Sequence, residues 1–270
     1  REAELVVQDW LEVTPTDGYV AFGPEGGPFQ VGSITSYVIK NTYTGIVSWT
    51  LTTPAWLTAS MTNATVASGA SRTVTLTLNT AMAETMAIGA HADAITLNNV
   101  TFATTQTRNA TLFVQGIVYV DGALTTGAND GSSWADAIHG VDCLQDGVTT
   151  AAVDRSSVWV AEGTYTRKLA LAEGVMVYGG FSNGDTSWAD QDPEGKPTII
   201  DTGGQGPVVS FAAISMAGID GFTITGGDSP SGGGGIRCVG TASSCFISDC
   251  TIIGNACPGR GAGIYCKAGA

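Results

Sequence analysis

Ile219-Asp-Gly-Phe-Thr-Ile-Thr-Gly-Gly227 is followed by Ile247-Ser-Asp-Cys-Thr-Ile-Ile-Gly-Asn255, and Gly233-Gly-Gly-Ile-Arg-Cys238 by Gly261-Ala-Gly-Ile-Tyr-Cys266. Both pairs are offset by 28 positions, from 219 to 247 and from 238 to 266. A fixed period of this size marks a stacked repeat. Each unit holds short β-branched runs that alternate with period two and are broken by glycine clusters; helical spacing is absent. Strands this short cannot bury a face alone, so successive units must lie on one another. The expected form is a parallel β-helix in which Ile219 sits under Ile247, Ile224 under Ile252 and Cys238 under Cys266, with stacked strands roughly 4.8 Å apart.

Composition agrees with an all-β chain. Charged residues make up 13% of the 270, hydrophobic residues 43%, and 37 are glycine. Low charge, many Thr and Gly and few helix formers point to many short strands and turns. The balance of 11 basic to 24 acidic side chains, net −13, repels phosphate backbones and argues against nucleic-acid binding. No stretch is long enough to span a bilayer as an apolar helix, so membrane insertion is not expected. The chain begins at Arg1 with no signal peptide and is read as a mature or trimmed chain. Asn63-Ala-Thr65, Asn99-Val-Thr101 and Asn109-Ala-Thr111 match the N-glycosylation triplet, making Asn63, Asn99 and Asn109 candidate acceptors and favouring an extracellular or cell-surface location.

Residues 1–116 read as a first domain. Leu5–Val7 and Leu11–Val13 form an opening strand. Runs at Tyr37–Ile39, Val47–Trp49, Trp56-Leu57, Val74–Leu78, Ile95–Leu97 and Ala110–Val114 follow, with turns between them. Seven short strands in this length predict an immunoglobulin-like sandwich. Residues 117–270 read as the second domain, entered at Gly116-Ile-Val-Tyr-Val-Asp121 without a flexible linker, which suggests a stiff junction. Ser132 or Ser133 is placed to cap a helix carrying Trp134, Ile138, Val141 and Leu144 at roughly helical spacing, and that helix would cover the first coil. Val158–Val160, Val175–Tyr178, Thr198–Ile200 and Val208-Val209 read as early coil strands, and 182–196 as a surface loop.

Two resemblances attach to these residues. The run from about Ile117 onward resembles the right-handed parallel β-helix of the pectate-lyase-like superfamily in its polymorphic outer-membrane-type variety, carried by Gly233–Cys238 and Phe246–Asn255. The stretch Tyr119–Asp136 is similar to the start of many bacterial surface β-helix domains. Residues 10–115 resemble the BACON-like modules of secreted bacterial proteins, carried by Leu11-Glu-Val-Thr-Pro15, Gly26-Gly-Pro-Phe29, Asn41, Trp49, Trp56-Leu57 and Gly69. The first resemblance implies a fold more than an activity. The second raises the prospect of carbohydrate binding, with Trp49 and Trp56 as a stacking platform, although core positions suit both residues better.

Candidate chemistry is sparse. Enzymes on the resembled fold set carboxylates and a Lys or Arg on neighbouring coils, with Ca²⁺ in lyases and paired carboxylates in hydrolases. Asp201, Asp220, Asp228, Arg237, Asp249, Arg260 and Lys267 are available, but Asp220 and Asp249 have opposite parity in the 28-residue register, and the charges read better as solvated surface or turns. No catalytic residue and no cofactor are therefore assigned. Asp121, Asn129 and Asp130 offer oxygen ligands for Ca²⁺, against the simpler reading of a turn. Cys238, Cys245 and Cys266 are either stacked thiols or disulfide partners, as Cys238–Cys266 across stacked strands or Cys238–Cys245 around a short turn. The chain stops in mid-unit at Ala268-Gly-Ala270, which predicts that further coils or another subunit cover that end. Leu5, Val6, Val7, Leu11 and Val13 are candidates for a strand donated to a neighbour, a contact that would propagate head to tail into fibres. The expected role is a secreted or cell-surface structural protein, an adhesin or extracellular filament. An enzyme acting on acidic polysaccharide and a carbohydrate-binding module are the alternatives.

Overall fold

A computed structural model describes residues 8–240 and 245–267. The chain is mostly β and divides into two compact units, Arg1–Val114 and Gln115–Ala270. The first unit holds β1 (Leu11–Thr14), β2 (Tyr19–Pro24), β3 (Gln30–Val31), β4 (Ser36–Asn41), β5 (Val47–Thr52), β6 (Leu57–Ala59), β7 (Asn63–Val66), β8 (Ser71–Leu78), a short helix α1 (Thr80–Ala83), β9 (Gly89–Asn99) and β10 (Thr104–Gln115). One sheet runs β1-β4-β8-β6 and the other β3-β2-β10-β9-β5-β7. Alternation explains the sandwich. In β8, Val74, Leu76 and Leu78 are buried while Thr73, Thr75 and Thr77 face water, as a half-buried antiparallel strand requires. The inner faces meet around Trp49, Tyr19, Tyr37, Ile39 and Leu112. This is the immunoglobulin-like build expected, with β2, β3 and β7 added. Sequence reading misses β2 because Tyr19–Pro24 is buried almost throughout and ends in Gly-Pro, so no alternation appears.

The second unit holds β11 (Ile117–Val120), α2 (Cys143–Ala151), β12 (Ser157–Ala161), β13 (Gly163–Tyr165), β14 (Leu169–Ala170), β15 (Met176–Phe181), β16 (Thr198–Asp201), β17 (Val209–Ala212), β18 (Ala217–Asp220), β19 (Phe222–Thr225), β20 (Ile236–Val239), β21 (Cys245–Ser248), β22 (Thr251–Ile252) and β23 (Ile264–Lys267). From β12 onward the chain visits three sheets in rotation: β11-β12-β15-β18-β21, then β13-β16-β19-β22, then β14-β17-β20-β23. Pairing within each is parallel. The offset read from sequence is the offset of the last circuit: Ile219 pairs with Ile247, Ile224 with Ile252, Ile236 with Ile264 and Cys238 with Cys266. The inward residues Val177, Ile200, Phe211, Ile219, Ile224 and Ile236 are fully buried in one core.

Tight turns between the sheets explain the glycine clusters. A Cβ on Gly234 would overlap the carbonyl oxygens of Ala256 and Ala262 on the next circuit. The Gly234 carbonyl accepts from Val208 N at 3.1 Å, and Gly235 N donates to Ala262 O at 2.9 Å. Only a residue without a side chain lets the backbones approach this closely.

The helix lies later in the chain than expected. Ser132 to Val141 form turns, and Ile138 makes a parallel bridge to Val120. Gly140, at φ +107°, precedes α2. Ser133 Oγ accepts from Asp136 N at 3.2 Å within a turn, and Val141 is exposed. α2 buries Cys143, Leu144, Val148 and Ala151 against the core that contains β11, β12 and β14. The helix thus packs on this core along a different stretch from the expected one. Val141 and Leu144 fit the spacing; Gly140 and the pairing of Ile138 to Val120 outweigh it.

Candidate functional site

Two surfaces of the second unit stand out, a groove beside β18 and the last circuit. The groove begins with an outward column. Tyr119, Trp159, Tyr178, Asp220 and Ser248 are register partners on successive strands of one sheet. Their neighbours in sequence, Val118, Val158, Val177 and Ile219, point into the core, so alternation turns the column outward. An outward column should be wet, yet Trp159, Tyr178 and Asp220 are buried. The cover is the 182–197 segment together with Trp134. Trp159 stacks on Phe181 at 4.3 Å with rings 6° from parallel, and Trp188 meets Tyr178 edge-on at 4.8 Å.

The segment is held by hydrogen bonds. Lys196 Nζ lies 2.7 Å from Asp185 Oδ2 and donates to Asp190 O at 2.6 Å. Trp134 Nε1 donates to Asp185 O at 2.6 Å. Gln191 Nε2 donates to Gly179 O at 3.0 Å and to Asp220 Oδ1 at 2.8 Å. Burial pushes the Asp220 carboxyl above the ordinary carboxylate value, against the hydrogen bonds from Gln191 and Ser248, and the charge of Asp249 adds to the rise. Outside the cover lies an open groove of about 660 Å³ lined by Gln191, Asp192, Glu194, Thr223, Asp249 and Thr251, among others. Its charge is acidic. Asp249, one period after Gly221, adopts φ +43° where Gly221 has φ +76°. That left-handed turn accounts for the residue, since Asp is among the few non-glycine types that enter the region readily.

The second surface is the last circuit. β21, β22 and β23 end the three sheets. Inward residues are fully buried one circuit below, at Ile224 and Ile236, but Ile252 is only partly buried and Ile264 is 43% exposed. Among the described residues, burial of the inward positions therefore falls off at β22 and β23.

The predicted residues fall as follows. Leu11 and Val13 lie in β1, paired with Asn41 and Ile39 of β4 and buried in their own sandwich. They are committed within their unit, which corrects their reading as a donated strand. Leu5, Val6 and Val7 lie outside the described residues. Trp49 and Trp56 are 1% and 4% exposed, so they serve as core and offer no stacking platform. Asn99 is 1% exposed, with Nδ2 donating to Asp9 Oδ1 at 3.0 Å and Oδ1 accepting from Phe102 N at 3.2 Å. That corrects it as a glycan acceptor, whereas Asn63 and Asn109 are exposed.

Asp121, Asn129 and Asp130 each accept a nearby backbone N–H, from Ala123, His139 and Ser132. Asn129 sits at φ +60°. They are turn-forming, and among the described residues no cluster of three or more His, Cys, Asp or Glu gathers to hold a metal ion. Cys238 and Cys266 are thiols in this structure, so neither proposed bridge is formed. Cys245 donates its thiol to Ile214 O at 3.9 Å. Among the described residues no helix is long and apolar enough to cross a membrane. Sequence reasoning treated Asp220 as solvated. The Gln191 contact that buries it comes from 29 residues away in a segment without repeat pattern, so no local signal marks it.

No family model matches the chain, and no curated protein does. Solved structures that are similar to it include a PapD-like domain of human CEP192, at 13% identity and TM-score 0.32, covering 43% of this chain and 92% of that one. Another is WR4, a C. elegans member of the MSP family, at 9% identity and TM-score 0.26, covering 40% and 99%. A third is the periplasmic chaperone SfaE, at 11% identity and TM-score 0.29, covering 41% and 65%. These findings correct the expected kinship with BACON modules and with polymorphic outer-membrane-type repeats. The residues that carried those likenesses do general structural work: Trp49, Trp56 and Leu57 fill a core, Gly26, Gly27 and Gly69 take positive φ in turns, and Gly234 and Gly235 admit a close backbone. Any sandwich or stacked repeat needs such positions, so they do not identify a family.

Proposed function

We infer that this chain is a structural module of the cell exterior that associates with further copies of itself through the strands β22 and β23. On this reading the second unit is a parallel β-helix, right-handed by the general hand of parallel crossovers. The rotation of strands through three sheets and the 28-residue register support that architecture. The observation that carries the assembly reading is the exposure of Ile264, at 43%, directly over the fully buried Ile236. A strand that presents an exposed apolar side chain at a sheet edge is a template for another β strand. Extracellular placement is supported by the low charge, the Thr and Gly content, and the exposed triplets at Asn63 and Asn109. The test is light scattering over a range of concentrations, with electron microscopy of the full chain and of Ile264→Lys. Concentration-dependent association lost in the lysine variant, with its circular dichroism unchanged, is the expected result. A monomer at the highest concentration, or association indifferent to the lysine, overturns it.

A second reading, an enzyme acting on a polysaccharide laid in the groove, is favoured by the carboxylates of Asp192, Glu194 and Asp249 that line it. Cleavage of a polysaccharide, lost in Asp249→Asn, would move the preference to this reading.

A further inference from the structure

Cys238 and Cys266 face each other across β20 and β23 as register partners in a parallel pair. Parallel register brings their Cα atoms about 4.8 Å apart, inside the range that a disulfide spans. Their exposures differ sharply. Cys238 is 4% exposed and belongs to the core, while Cys266 is exposed. Burial, with Cys266 beside it, pushes the Cys238 thiol up to about 12. One sulfur is thus reachable from solvent and the other is held ready behind it.

We propose that Cys238 and Cys266 form a reversible redox staple that locks β23 onto β20. A low-molecular-weight disulfide is the co-reactant. The exposed Cys266, as thiolate, attacks one sulfur of that disulfide, forms a mixed disulfide and expels one small thiolate. Cys238 then gives up its proton to solvent, its sulfur attacks Cys266 Sγ, and the second small thiolate leaves. Two protein thiols lose two electrons and two protons, and one small disulfide becomes two small thiols. Exposure sets the order of events, because the reagent cannot reach Cys238 directly. Cys245 is the competing partner for Cys238, being close enough to affect it electrostatically. Only Cys266 shares its register. The staple does not depend on self-association, since both thiols belong to one chain.

The experiment treats the reduced full chain with oxidised glutathione and maps thiols by mass spectrometry. The expected product has lost two thiols and joins the Cys238 and Cys266 peptides within one chain. Cys238→Ser should instead stop at a stable glutathione adduct on Cys266, and Cys245→Ser should still form the staple. Amides of β23 should exchange at least tenfold more slowly in the oxidised chain. A persistent glutathione adduct on Cys266 of the unaltered chain, a Cys238–Cys245 link, a link between chains, or no loss of thiol would each overturn the proposal.

Discussion

Ile236 and Ile264 occupy the same position of successive circuits, so truncating each to alanine measures how the interior closes along the stack. Ile236 is fully buried beneath its partner and Ile264 is 43% exposed. Ile236→Ala removes buried methyl and methylene groups and leaves a cavity walled by the circuits on either side, at a cost of about 3.5 kcal/mol. Ile264→Ala forfeits only part of the transfer free energy, and water fills the open side, so no cavity term is added; about 1 kcal/mol follows. The two variants should differ by about 2.5 kcal/mol. A urea series followed by hydrogen-exchange mass spectrometry on peptides of the second unit would read this, because it follows that unit separately from the first. With a urea slope of about 2 kcal/mol/M the midpoints should lie a little over 1 M apart. The dilution must be high enough that copies do not meet. Equal costs under those conditions would refute the difference in burial between the two positions and with it the basis for association through β23. A cost for Ile264→Ala that climbs with protein concentration would instead show that edge being covered.

Lys196→Met should cost about 2 kcal/mol by leaving the Asp185 carboxylate, 17% exposed, without its cation, and a thermal melt with tryptophan fluorescence from Trp188 should show the loss. Asp220 has a folded-state value above the usual 3.8. The folded chain therefore holds this proton more tightly than the unfolded one, so the contribution is full below the unfolded value and fades as pH rises through the folded value. Asp220→Asn should remove that decline, seen as a smaller drop in urea midpoint from acid to neutral pH than in the parent. Gly234→Ala, which drives a Cβ into the carbonyls of Ala256 and Ala262, should cost more than about 2 kcal/mol and lower both yield and melting temperature. Expressed in a glycosylating host, the chain should carry glycans at Asn63 and Asn109 and none at Asn99, as intact-mass and peptide analysis would report.

What the sequence by itself determined is the part governed by local periodicity. Ile219 under Ile247 and Cys238 under Cys266 follow from the 28-residue spacing, because side chains alternate along a strand and a slip of one residue would turn Ile219 outward. The alternation of Val74, Leu76 and Leu78 with threonines likewise placed β8 and its buried face. Tertiary structure alone decided the rest. Asp220 is buried because Gln191 and the 182–197 segment fold back over an outward column, an arrangement that no spacing encodes. The helix lies at Cys143–Ala151 because Ile138 is taken by the bridge to Val120. Asn99 bears an acceptor triplet yet points at Asp9, 90 residues away. Sequence periodicity records which way a side chain faces; whether another part of the chain then covers it depends on contacts far apart in sequence.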